Sequence, residues 1–158
     1  MVRNLLLASS TLALLVGSAR ATVTSICSTS PNSVGPGALL TWQGPPNVQF
    51  GALVVQGLPP SSFGTFLYSY SQLAPTPFGD GVLCVGTPTW NLARRTSNAQ
   101  GVITLRIWTG AENEDLHWLT YPGNQGFTWS FQFAYRDLGP GGHTFNTSDG
   151  VAVEFGVF

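Results

Sequence analysis

Residues 127–149 read FTWSFQFAYRDLGPGGHTFNTSD, and the first part of this stretch alternates without a slip. Phe127, Trp129, Phe131, Phe133 and Tyr135 share one parity, and Thr128, Ser130, Gln132 and Ala134 share the other. Successive side chains of a strand point to opposite faces. A period of two therefore describes a strand with one aromatic face and one polar or small face. A row of rings this bulky needs a second sheet to cover it, because an isolated strand or hairpin has no stable way to bury it. The stretch predicts a β-sandwich built around this strand.

The flanking sequence supplies the partners. Val48 to Gln56 has apolar residues on both parities, with Leu53 and Val55 against Ala52 and Val54, which suits a central strand. Gly101 to Trp108 places Ile103, Leu105 and Ile107 inward, and Val151 to Val157 does the same with Val151, Val153 and Phe155. Shorter strands are expected at Thr22 to Cys27, Ala38 to Trp42, Phe63 to Tyr70, Val82 to Val85 and Thr89 to Arg94. Gly- and Pro-rich breaks separate them, among them Gly57-Leu58-Pro59-Pro60 and a loop from Pro75 to Gly81. Eight or nine short strands read as an all-β, two-sheet antiparallel sandwich.

The N-terminus is set apart from this pattern. Arg3 gives a short positive region, Leu5 to Val16 an apolar one, and Ala19-Arg20-Ala21 the small-x-small pattern of a signal-peptidase site. The apolar run falls short of the roughly 20 residues that a bilayer span needs. Residues 1–21 are therefore expected to be a signal peptide. Residues 22–158 are expected to form one secreted or cell-surface domain with no membrane span after cleavage. Beyond Ala21 the chain carries four arginines against seven carboxylates, a net charge of about −3, and no lysine. A nucleic-acid binder needs a basic stripe to neutralise phosphates, so that class is set aside. Scarce charge combined with many aromatics also argues against disorder.

Cys27 and Cys84 are the only cysteines, and in an exported chain two cysteines most simply form one disulfide. A two-cysteine metal site lacks its usual partners, because His117 and His143 lie far apart and no CxxC occurs.

Chemistry-bearing residues concentrate between Thr109 and Gly126. Glu112, Glu114 and Asp115 offer oxygen ligands, and calcium is the one cofactor they suit; a solvated acidic loop is the simpler reading, and no EF-hand spacing is present. A glycosidase needs two carboxylates held about 5 to 10 Å apart across the bond, whereas these three crowd one loop. No G-x-S-x-G elbow is present either, so the chain is read as no enzyme, with a small extracellular hydrolase as a weaker alternative. Flat rings stack on sugars, and Trp90, Trp118 and Tyr121 are placed where loops or edges could expose them. Asn113, Glu114 and Asn124 could bond sugar hydroxyls nearby. The competing reading is that such rings cap the open ends of the sandwich. The sequence therefore supports a structural, adhesive or surface-interaction domain whose partner is a protein or polysaccharide at the cell surface. A carbohydrate-binding module using the 109–126 loop is the alternative. Asn146-Thr147-Ser148 matches a glycosylation sequon, and a turn role for Asn146 is preferred.

Several pieces also occur together in a recognisable order. They are Cys27 with Pro31-Asn32-Ser33 and Gly35; Gly57-Leu58-Pro59-Pro60 with Phe63-Gly64; Phe78-Gly79-Asp80-Gly81 leading to Leu83-Cys84-Val85-Gly86; and Trp129, Phe131-Gln132-Phe133, Tyr135-Arg136-Asp137, Phe145-Asn146 and Ser148-Asp149. In this ordered set the chain resembles a family of small secreted bacterial β-sandwich domains of unassigned function. The family pattern often has a tryptophan where this chain has Ala134. The resemblance implies a secreted β-rich domain and brings no catalytic residues with it.

Overall fold

The computed structural model describes residues 22–44, 50–108, 127–138 and 145–155. Ten strands run through them: β1 (Thr22–Cys27), β2 (Leu39–Gln43), β3 (Phe50–Gln56), β4 (Phe63–Ser69), β5 (Gln72–Phe78), β6 (Gly81–Val85), β7 (Trp90–Thr96), β8 (Ile103–Trp108), β9 (Thr128–Arg136) and β10 (Phe145–Glu154). They form a five-stranded sheet in the order β1-β10-β9-β4-β7, a three-stranded sheet β2-β3-β8 and the hairpin β5-β6. Every pairing is antiparallel. The fold class is the expected one: all-β, sheets packed face to face, and one disulfide.

The aromatic parity of β9 builds the core. Phe131 and Phe133 are fully buried, with Tyr135 and Trp129 nearly so. They pack with Leu53, Val55, Ile103, Leu105 and Ile107 from the smaller sheet and with Val151, Val153 and Phe155 from the β10 side. The inward residues expected for β8 and β10 are thus all in the core, and β3 is central in its sheet. Gly64 of β4 makes room for this row: a Cβ there would collide with the Phe133 ring and the Ala134 carbonyl.

The opposite parity of β9 is also covered. Ser130 and Gln132 are as buried as the rings behind them, at 1% and 0% exposure. Their cover is the β5-β6 hairpin, which lies against the outer face of the large sheet. Gln132 is the joint. Its Oε1 accepts the Cys84 N–H (2.9 Å), and its Nε2 donates to the Val82 carbonyl (2.6 Å) and the Ser148 carbonyl (2.9 Å). Thr147 reinforces it, accepting the Val82 N–H (3.1 Å) and donating to the Val82 carbonyl (2.8 Å). The Cys27–Cys84 disulfide spans the same layers, tying β1 at the sheet edge to β6 with 6.3 Å between Cα atoms.

Two boundaries differ from the sequence reading. Residues 75–78, read as part of a loop, belong to β5, where Pro75 and Pro77 sit on a hairpin strand that pairs, among the described residues, with β6 alone. Proline cannot donate to a ladder, but an outer strand does not ask it to. β10 begins at Phe145 rather than Val151 because a bulge between Thr147 and Gly150 interrupts its ladder. Asn146 lies in that strand and is fully buried, donating to the Pro31 carbonyl at 2.9 Å. A glycan on its amide would displace that bond, so its role in the folded chain is to hold the 31–35 turn.

The bulge also joins the two large sheets. Asp149 Oδ1 accepts the Leu40 N–H at 2.5 Å, and the Asp149 N–H donates to the Ala38 carbonyl at 3.1 Å. Burial raises the Asp149 carboxyl above its ordinary 3.8, outweighing the Leu40 bond that would lower it. A group raised in the folded state adds stability below its unfolded value and loses that contribution as pH rises through its folded value. Asp149→Asn keeps an oxygen for Leu40 and removes the charge. The variant is expected to be at least as stable as the parent at pH 7, with the difference vanishing as pH falls below about 4. Denaturant melts at the two pH values check this; an asparagine variant less stable than the parent at pH 7 would refute it.

Candidate functional site

One end of the five-stranded sheet is where β4 stops and where β7 and β9 begin. Aromatic residues collect there. Tyr68 is the penultimate residue of β4, Tyr70 follows the strand, Trp90 opens β7 and Trp129 stands near the start of β9. Pairing places Trp90 opposite Tyr68, and Tyr68 opposite Phe131. Trp90 stacks on Tyr68 with ring centroids 5.4 Å apart at 25°. Tyr70 tilts against Trp90 at 5.7 Å and meets Trp129 edge-on at 6.2 Å. Tyr68 and Trp129 are each 7% exposed, whereas Trp90 is 36% and Tyr70 58% exposed. Two buried rings thus brace two open ones, and the open pair has little freedom to collapse onto the core.

Such rings offer flat apolar faces at fixed angles, as stacking on the C–H face of a sugar requires. Holding them in place before binding lowers the ordering cost of association. The Phe127 carbonyl accepts the Phe155 N–H at 3.2 Å and fixes the start of β9 beside this cluster.

The disulfide partners Cys27 and Cys84 are bonded as expected. The expected ligand residues Asn113, Glu114, Trp118, Tyr121 and Asn124, and the calcium candidates Glu112, Glu114 and Asp115, lie outside the described residues. His117 and His143 do too. The described cluster instead supplies Trp90, weighed from sequence as an edge aromatic, and Tyr70, which was not singled out. The signal for Tyr70 was its parity: it follows Phe66 and Tyr68 at steps of two, past the end of the strand.

Two of the described carboxylates, Asp137 and Asp149, hold main chain. Asp137 is 2% exposed, with its two oxygens each 3.2 Å from the Ser33 N–H and the Asn146 amide at 3.4 Å. Asp137 therefore serves the 31–35 turn, and Arg136 beside it in sequence is exposed. Asn32 donates to the Gly57 carbonyl at 2.6 Å and to the Tyr135 hydroxyl at 3.2 Å. Burial pushes the Tyr135 phenol up to about 12 despite that bond. Among the described residues no group of three His, Cys, Asp or Glu is arranged to hold a metal, and no helix is long and apolar enough to cross a membrane. No protein-family model, curated protein or solved structure matches the chain.

Proposed function

We propose that the mature chain is an exported, non-catalytic β-sandwich that acts at or outside the cell surface by holding a glycan against Tyr70 and Trp90. The observation that carries this reading is the pair of exposed rings, Tyr70 and Trp90, braced on Tyr68 and Trp129. The leader-like residues 1–21 and the disulfide support export, since such bonds persist in oxidising compartments. The engagement of Asp137 and Asp149 by main-chain donors supports a binding role over hydrolysis, which would need free carboxylates facing one another. Uncharged rings do the binding in this reading, so calcium is not required.

The test is retention of the oxidised mature protein on a panel of insoluble polysaccharides and cell-wall fractions, with and without a calcium chelator. Retention on one glycan, unchanged by chelation, is expected. Trp90→Ala should weaken it by about tenfold or more, the loss of roughly 1.4 kcal/mol of stacking and burial. The variant should keep its fold, because Trp90 is an edge residue whose stacking contributes about 1 kcal/mol. Retention that is indifferent to both Trp90→Ala and Tyr70→Ala would refute the site.

A further inference from the structure

A groove of about 700 Å³ lies at the other end of the large sheet, where the β3–β4 connection passes the end of β9. Pro59, Pro60, Phe63 and Leu138 give it apolar walls, and Arg136 and Ser61 stand at its polar side. Phe63 is 45% and Leu138 85% exposed, so the apolar lining is open to solvent rather than part of the core. The register that pairs Gly64 with Tyr135 brings Phe63 beside Arg136 on the outer face.

The walls are fixed by bonds made elsewhere. Ser62 donates through its hydroxyl to the Arg136 carbonyl at 2.5 Å and through its N–H to Ser97 Oγ at 2.9 Å. Ser97 in turn donates to the Pro59 carbonyl at 2.6 Å. Asp137 also lines the groove but is 2% exposed, and its carboxylate accepts from the Ser33 N–H and the Asn146 amide. Among the described residues that line the groove, Arg136 is the exposed charged one and Asp137 the buried one. Its volume falls within the ~300–1,000 Å³ range of small-molecule sites.

We propose that this groove binds an organic carboxylate bearing an apolar tail. Arg136 takes the carboxylate through paired N–H donors, a geometry that its planar head matches. Phe63, Leu138 and the two prolines cover the tail. The same chemistry is offered by an alkyl carboxylic acid and by the free C-terminus of an apolar peptide. This site stands apart from the aromatic cluster and does not depend on glycan binding.

The experiment titrates the isotopically labelled, oxidised mature protein with three probes: octanoate, N-acetyl-phenylalanyl-leucine, and the C-terminal amide of the same dipeptide. The amide resonances of Ser33, Ser61 and Phe63 report binding. At least one acid is expected to shift them, with octanoate alone identifying an alkyl acid, the dipeptide acid alone a peptide terminus, and both the shared chemistry. The neutral amide should bind at least about tenfold more weakly than its acid. Arg136→Gln should weaken the acids by a similar factor while melting like the parent, since Ser62 is held by the Arg136 main chain. Leu138→Ser, an exposed change, should weaken the acids while keeping their advantage over the amide. Absence of any shift at millimolar acid, equal binding of acid and amide, or full affinity in a folded Arg136→Gln protein would each overturn the proposal. If Arg136→Gln does not fold, Leu138→Ser decides: unchanged affinity for the acids in that variant overturns it equally.

Discussion

Gln132→Leu is expected to cost at least about 3 kcal/mol of stability, although leucine is apolar, close in size and enters a fully buried site. The side chain removes its acceptor from the Cys84 N–H and its donor from the carbonyls of Val82 and Ser148. A buried main-chain group left unmet costs roughly 1–3 kcal/mol, and little water can reach these behind a residue with 0% exposure. Thr147 still donates to Val82, which softens one of the three losses. Gln132→Glu should be worse, because it carries a charge into the same place and repels two carbonyls. Urea denaturation checks both, read as a fall in midpoint at unchanged slope. A loss below about 1 kcal/mol for the leucine variant would mean that the Gln132 bonds add little to holding the hairpin.

Removing the disulfide is the second large effect. Cys27→Ala with Cys84→Ala should cost about 2–4 kcal/mol, since the bridge closes a long loop in the unfolded chain. Cys84 is fully buried, so its replacement also leaves a small void under the hairpin. The damage should be uneven. Among the described residues β1 pairs only with β10, and β5 only with β6, so both depend on the bridge that joins their layers. Amide exchange should quicken in β1, β5 and β6 and change least in the β2-β3-β8 sheet. Uniform acceleration across all strands would show that the bridge stabilises the fold only globally.

These two effects mark what could be read from the chain and what could not. The ring row of β9 and the apolar parity of β8 and β10 announced the core, because burial on one face leaves a period of two in any strand. The cysteine pair was equally plain. The second covered face of β9 was not, since Ser130 and Gln132 look the same in sequence whether they meet water or a hairpin. β5 was hidden for a related reason: Pro75 and Pro77 are turn residues in most contexts and are tolerated here on a strand that pairs, among the described residues, with β6 alone. Asn146 read as a turn residue, and it lies in a bulged strand whose Asn146 and Asp149 side chains bond neighbouring layers. Tyr70 and Trp90 come together through the pairing of β4 with β7, which no local pattern records. The residues that sequence favoured for sugar contact, Trp118 and Tyr121 among them, lie outside the described residues.

The glycan reading is tested most directly by chemical protection of Trp90. Mild N-bromosuccinimide should oxidise this half-open indole ahead of Trp129, which is 7% exposed. Mass spectrometry of the peptides then reports each tryptophan separately. The account predicts that a retaining polysaccharide slows oxidation of Trp90 by about tenfold at saturation and leaves the others unchanged. Oxidation of Trp90 at one rate with and without every polysaccharide of the panel would contradict it.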